Sequence, residues 1–501
     1  MSGSSEHRTS LETAVSNTGF GVAGEIVDLI FRTIGSILLA RLLGPVGLGS
    51  WLVARTVAFD LGQIPARIGL DEATLRYVSM YSGQGRWEAV RGILKRGLSL
   101  SFVTSLATCL ALIAAAPVLA KCVFKKPETE WLIRSMAPSV LLLAPGYVLL
   151  SAIQGINLLK YRVLAQKVAL PVLQAAVLGA GLFASLSFGG AICAHYAGIV
   201  ALVFLAIFVG YPVFRRVVGH ISGSFSIRTL ISFAWPVSLA EASNYIVLWA
   251  GVLMLGILST REQTGIFGVA LRVGSLVWIP LHAVNQMFAP MIAAFFGRKQ
   301  SNELEIMFKT TARWTLFASL PICIIVIFAG REILALFGPE FLIGFTSLAV
   351  VAAGKMVAAG TGSVGFMLNM TGHQRLNLLN SVVLGVLNIG LSYLWIERYG
   401  SLGAAAASSV SLALVNIARV VQVRIILGYS LLSRGYYVGA ASAIFLGIIL
   451  ALVRPVISGV VPTFIVSCLF LAMYGILIWV FALDETDREA ARIVRTKVGS
   501  A

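Results

Sequence analysis

The chain has 501 residues, is 58% hydrophobic and only 12% charged, and carries a formal net charge of +17. Soluble domains hold about 25% charged residues, so this composition excludes a soluble protein with a large core. A mean hydropathy of +0.91 instead marks a polytopic membrane protein. The basic excess does not signal nucleic acid, because no basic stripe with interleaved aromatics lies outside the apolar runs; positive-inside loop bias accounts for it.

Residues 1–17 are polar and lack an apolar centre, so they read as a cytoplasmic segment rather than a cleavable signal. The first predicted span, 18–41, carries Glu25, Asp28 and Arg32 inside an otherwise apolar run. Their spacing of three and then four residues places them within a ~60° sector of a helix. A charge at the centre of an isolated helix in lipid costs roughly 2.5–3.5 kcal/mol. This face is therefore expected to line a hydrated interior. The second span, 47–66, adds Arg55 and Asp60. Spans at 97–119, 135–157, 168–187 and 190–213 complete a first bundle, an N-lobe over 18–213.

The seventh span, 230–258, contains Glu241 and Asn244, and the eighth, 265–294, contains Arg272, His282, Asn285 and Gln286. A ninth span falls at 311–330, and the tenth, 342–369, holds Lys355. Spans 378–396 and 402–424 close a C-lobe over 230–424. Two further helices occupy 437–482, and a tail of mixed charge, 483–501, is expected in the cytoplasm. The sequence thus predicts an all-α polytopic membrane protein of about fourteen transmembrane helices. With the N-terminus inside, most of the 38 Lys and Arg residues fall in inward loops, Arg67, Lys167 and Arg419 among them. No loop is long enough to fold as a domain, which leaves no place for a nucleotide-hydrolysing module.

Residues 24–55 laid over 240–271 without gaps bring Glu25 onto Glu241, Asp28 onto Asn244, Gly35 onto Gly251 and Gly49 onto Gly265. An aligned pair of intramembrane glutamates, six spans apart, implies a parallel repeat of two six-helix bundles. Two GxGxxG strings, "GFGVAG" and "GTGSVG", lack the strand–turn–helix context of a dinucleotide site and read as close helix contacts. The five cysteines have no metal-site or CxxC spacing and read as reduced structural thiols. No metal site is expected.

The intramembrane cations come from both halves: Arg32 and Arg55 from the first, Arg272 and Lys355 from the second. Arginine offers a forked donor suited to phosphate oxygens and lysine a point charge. Together they suit an anionic substrate with a phosphate or pyrophosphate group. Glu25, Asp28, Asp60 and Glu241 are candidates for ion coupling or for pairing with these cations. Asn244, His282, Asn285 and Gln286 are candidates for polar lining.

"ILLARLLGPVGLGSW" (37–51), "GLDEATLRYVS" (69–79), "TGIFGVALRV" (264–273), "LFGPEFLIGFTSLAVVAAG" (336–354) and the run 370–411 resemble the polysaccharide-biosynthesis flippases of Wzx type. These belong to the superfamily that also holds the MATE exporters and the MurJ lipid II flippases. The resemblance covers almost the whole chain. It implies two six-helix lobes in a V-shaped, MATE-like arrangement plus two C-terminal helices, working by alternating access. It further implies transport of an undecaprenyl-pyrophosphate-linked oligosaccharide across the bacterial inner membrane, for exopolysaccharide, O-antigen or capsule synthesis. The expected partners are that polyprenyl-linked glycan, the lipid bilayer and other polysaccharide assembly proteins; no organic cofactor is expected, only coupling to H⁺ or Na⁺. Gly251 stands where many relatives carry an acidic residue in the seventh span. The alternative is a MATE-like cation-coupled drug antiporter, against which four intramembrane cations weigh. A membrane enzyme such as a polymerase is disfavoured by the short loops.

Overall fold

The computed structural model describes residues 2–218, 224–457 and 459–482; the expected tail 483–501 lies outside them. The described residues are helical throughout, without a strand. In lipid no water can satisfy a backbone N–H or C=O, so helices, whose backbone bonds are internal, are one of two ways to cross.

The first two spans form one continuous run, Ser2–Arg55, bent at Gly44 (φ 62°, ψ 178°). Pro45 follows directly and has no N–H to continue the hydrogen-bond ladder. Spans eleven and twelve repeat the device in Gln374–Leu427, which bends at Gly400 (φ 55°, ψ −127°). The backbone N–H of Ser401, freed by the bend, donates to Gln263 Oε1 at 2.9 Å. A β-carbon at Gly400 would stand 2.8 Å from that same oxygen, so both the torsion and the space demand glycine.

Among the described residues, ten helices are long and apolar enough to cross a bilayer, including Trp87–Val123, Thr129–Gly155, Leu159–Phe183 and Ser187–Arg215. One of them is the bent Gln374–Leu427, which makes two passes. With Ser2–Arg55 and its continuation, and with Ile227–Leu258, the described residues make about fourteen passes. Proline inside the helices, as at Pro117, Pro145 and Pro236, is tolerated because neighbouring helices re-satisfy the freed carbonyl.

The chain divides into two compact units, Met1–Trp249 and Ala250–Ala501. In the first, Leu70, Val90, Ile93, Val148, Leu230 and Ala234 form one buried cluster. Trp51, Leu132, Ile133, Met136 and Leu178 form another. In the second, Phe288, Ile292, Phe308, Met367, Leu368 and Val423 pack together. The last two spans attach through Phe328, Leu446, Phe470 and Tyr474. Large apolar side chains also cover the outside, with Val461, Phe464 and Leu469 all more than half exposed. A soluble protein would aggregate on such a surface; lipid is its solvent here. Because lipid tails are as apolar as leucine, packing and internal polar contacts, not water exclusion, hold the helices to one another.

Candidate functional site

The charged face of the first span is occupied by ion pairs. Arg32 Nε donates to Asp28 Oδ1 at 2.6 Å, a contact that the i,i+4 spacing makes almost automatic. The other carboxylate oxygen, Asp28 Oδ2, lies 3.7 Å from Lys167 Nζ, which also donates to Glu25 Oε2 at 3.1 Å. Lys167, expected in a loop, instead stands in Leu164–Ala169, a π-helical turn inside the fifth span. Asp28 is therefore held between two cations from two helices, with its side chain only 12% exposed.

A second π-helical turn, Thr56–Leu61, begins immediately after Arg55. Its ladder closes from Gly62 N–H to Val57 C=O at 3.1 Å, five residues back. In a regular α-helix, residues five apart diverge by about 140°. The wider π turn brings them round, and Arg55 Nη2 meets Asp60 Oδ1 at 3.6 Å. The Arg55 guanidinium also lies 5.6 Å from the Phe59 ring centroid. Buried His195 packs edge-on to Phe59 at 4.9 Å and to Trp51 at 6.1 Å, and fills the space behind this turn. In this unit every predicted cation thus faces a carboxylate.

Glu241 belongs elsewhere. It lies 3.6 Å from Arg67 Nη2, while Arg67 Nη1 donates to Asp71 Oδ2 at 2.8 Å. The Arg67 guanidinium sits 5.1 Å from the Tyr147 ring centroid. Arg67 was expected in an inward loop, but it ends the short helix Gln63–Arg67 and is buried. Helical i,i+4 spacing does not account for its pairing with Asp71, because left-handed Ile68 and Gly69 separate the two helices that carry them. The aligned glutamates of the repeat therefore have different partners, Lys167 for Glu25 and Arg67 for Glu241.

In the second unit, Arg261–Gly274 and Ile279–Gly297 are joined by a 3₁₀ turn, Ser275–Trp278. That turn presents Trp278 to Lys355, whose Nζ lies 4.1 Å from the ring centroid. Such a cation–π contact contributes about 0.5–2 kcal/mol. His282 stands edge-on to Trp278 at 4.7 Å, and one turn further Asn285 Oδ1 is buried without a hydrogen-bond partner. Among the described residues no carboxylate pairs with Lys355. Arg272, in the last turn of its helix, is half-buried and engaged by a neighbour. The side chains of Asn244 and Gln286 lie outside the described residues. A cavity of about 790 Å³, lined by Leu320, Phe328, Phe345, Ile448, Arg331 and Arg454, contains none of the predicted residues.

Comparison with known proteins adds three kinds of likeness. Residues 14–296 match the family model described as polysaccharide biosynthesis protein. The probable low-salt glycan biosynthesis flippase Agl15 of Haloferax volcanii is 23% identical over 38% of this chain. That match spans only 40% of the flippase's own length. Stage V sporulation protein B of Bacillus subtilis is 21% identical over 95% of this chain and 97% of its own. Among solved structures, an inward-facing MATE multidrug transporter of the MOP superfamily superimposes with a TM-score of 0.70 at 16% identity, covering 80% of this chain and 94% of its own. The lipid II flippase MurJ, inward closed, gives 0.68 at 13% identity, covering 92% and 98%.

Proposed function

The chain belongs to the polysaccharide biosynthesis protein family, and from that premise we propose that it flips a lipid-linked glycan across the membrane. It is a multi-pass membrane transporter with the fold of the MATE and MurJ proteins, not an enzyme; no bond is made or broken. The finer reading is that the cargo is an undecaprenyl-pyrophosphate-linked oligosaccharide of the bacterial inner membrane, with both termini of the protein cytoplasmic.

The observation that carries this reading is Asp28 held between Arg32 and Lys167, beside Arg55 paired with Asp60. Inside the bilayer an unpaired cation is costly, so a site for an anionic headgroup needs a resident counter-ion when empty. Carboxylates on the same and neighbouring helices supply it. A pyrophosphate, like a carboxylate, can present two oxygens to a guanidinium fork, and it carries more charge. Arg32, Lys167 and Arg55 can therefore pass from Asp28 and Asp60 to the substrate without any cation being left bare. H⁺ or Na⁺ on the released carboxylates would neutralise them during that exchange, which is the form of coupling the arrangement supports. Lys355 and Arg272 extend the cationic set in the second unit.

The test is mass spectrometry of lipid extracts from cells lacking the gene. Build-up of one polyprenyl-pyrophosphate oligosaccharide, cleared by the wild-type gene and not by Arg32→Ala, supports the reading and identifies the cargo. An unchanged lipid pool with new sensitivity to cationic drugs would replace it with a drug antiporter.

A further inference from the structure

The cavity of about 790 Å³ in the second unit lies between two helices and contains none of the paired charges described above. Leu320, Ile324, Ile327 and Phe328 recur at helical spacing along Ser301–Phe328, and Ile444, Gly447, Ile448 and Ala451 do the same along Arg434–Val453. Each set is one apolar stripe, and the two stripes are the cavity's long walls. The helices come together where a β-carbon on Gly447 would lie 3.4 Å from Ile324 Cδ1. Phe328 and Leu450 are buried at the back of the cavity, whereas Ile444 and Ile448 are 58% and 56% exposed. The cavity is therefore open on the side that faces lipid.

One end of it is cationic. Arg331, near the start of Gly330–Phe337, and Arg454, directly after Arg434–Val453, both line it. Arg454 is already engaged. Its Nη2 donates to both oxygens of Glu332 at 2.8 and 3.0 Å, its Nη1 donates to Thr463 Oγ1 at 3.4 Å, and its guanidinium lies 5.3 Å from the Phe328 ring centroid. Arg331 differs. It is exposed, its guanidinium lies 5.5 Å from the Phe345 ring centroid, and among the described residues no carboxylate pairs with it. An aromatic face orients a guanidinium without using its N–H donors. With Glu332 committed to Arg454, this end of the cavity keeps a positive charge.

We propose that this cavity binds one anionic phospholipid, with an acyl chain between the two stripes and the phosphodiester on Arg331. Three features argue for that occupant. The stripes run about 12–15 Å, from Leu320 to Phe328 and from Ile444 to Arg454 at about 1.5 Å per residue, which is about half of a hydrocarbon core roughly 30 Å thick. That is the depth of a single leaflet, and the much longer polyprenyl chain would outrun these walls. The volume lies within the range of ligand pockets, about 300–1,000 Å³, and the open side leaves a second chain in the bilayer. The arginine at the headgroup end selects phosphate, because its forked N–H groups can meet two phosphate oxygens. A lipid seated here bridges the ninth span to the thirteenth and holds the last two spans against the rest of the unit. None of the residues assigned to cargo transfer lines the cavity, so this site is separate from the one proposed for the cargo.

The purified full-length protein provides the test. Native mass spectrometry would compare retention of phosphatidylglycerol, of diacylglycerol with the same chains and of undecaprenyl phosphate, in the wild type and three variants. Arg331→Gln removes the charge at an exposed position. Ile448→Trp places an indole in the cavity from its lipid-facing wall. Arg398→Gln is the control: Arg398 is also exposed and lies 5.7 Å from the Tyr399 ring centroid, but it does not line the cavity. The wild type is expected to retain phosphatidylglycerol at least about tenfold better than diacylglycerol, the factor that follows from one charge-assisted contact. Arg331→Gln should erase that preference, Ile448→Trp should weaken retention of both lipids, and Arg398→Gln should change neither. Undecaprenyl phosphate held in preference to phosphatidylglycerol, and lost in the first two variants, would give the cavity to the cargo's chain and overturn the proposal. Equal retention of phosphatidylglycerol and diacylglycerol by the wild type, a preference that survives Arg331→Gln, or retention unchanged by Ile448→Trp would also overturn it. Glycan export is not part of the readout, so any of these failures leaves the cargo reading standing on its own test.

Discussion

Arg55 and Asp60, five residues apart on one helix, meet at 3.6 Å because the chain between them winds as a π-helix. A π turn is an α-helix carrying one extra residue, and such turns gather at functional sites. Asp60→Asn removes the carboxylate that this turn brings to Arg55 and leaves the winding of the helix unchanged. Glycan export should fall to background while the protein remains in the membrane at near wild-type amounts. Undiminished export by Asp60→Asn would show that this ion pair has no part in transport.

Asp28 and Lys167 should be coupled in stability. Asp28→Asn removes the partner of two cations, and a hydrogen bond to a charged group contributes about 1.5–3 kcal/mol. A cycle with Lys167→Met, read as thermal unfolding in detergent, should recover part of that loss in the double variant. Strict additivity would mean that the 3.7 Å contact carries no energy.

Gly400→Ala is expected to cost about 1–3 kcal/mol, since it forces a β-carbon into a torsion reserved for glycine. Gln263→Ala should also destabilise, by about 1–3 kcal/mol, because the Ser401 N–H loses its acceptor. The two losses should be less than additive, both acting on one bend. Melting temperature of the purified protein is the measurement.

Arg32→Ala and Arg55→Ala should each abolish export and cause the lipid-linked intermediate to accumulate. Arg55→Lys should restore export only partly, because lysine keeps the charge but not the planar fork that grips two phosphate oxygens. Lys355→Arg, which retains both the charge and stacking on Trp278, should be better tolerated than Lys355→Ala. Quantifying the intermediate by mass spectrometry in each strain separates these outcomes.

The sequence by itself determined the bilayer as solvent, the helical class and the charged face of the first span. Hydropathy sums over some twenty residues, and the Glu25, Asp28, Arg32 spacing needs only the pitch of one helix. The Asp28–Arg32 pair follows from that pitch alone. The first bend was legible as well, because Gly44–Pro45 interrupts any helix, whereas Gly400, preceded by Glu397 and Arg398, follows no apolar run that it could close.

What only the tertiary structure decided is which distant group each charge faces. Lys167 sat one residue outside the predicted fifth span and was read as a loop residue, though its helix runs further than that apolar window, and Arg419 was counted with an inward loop although it falls within the span 402–424. Arg55 finds Asp60 only because the turn between them is π and not α, a register that no local pattern announces. Glu241 matched Glu25 in the repeat, yet it pairs with Arg67 because the helix that carries it packs beside the second span. Pairing within four residues is a property of one helix. Pairing across helices depends on how each is rotated against its neighbour, and side-chain packing over the whole unit sets that rotation.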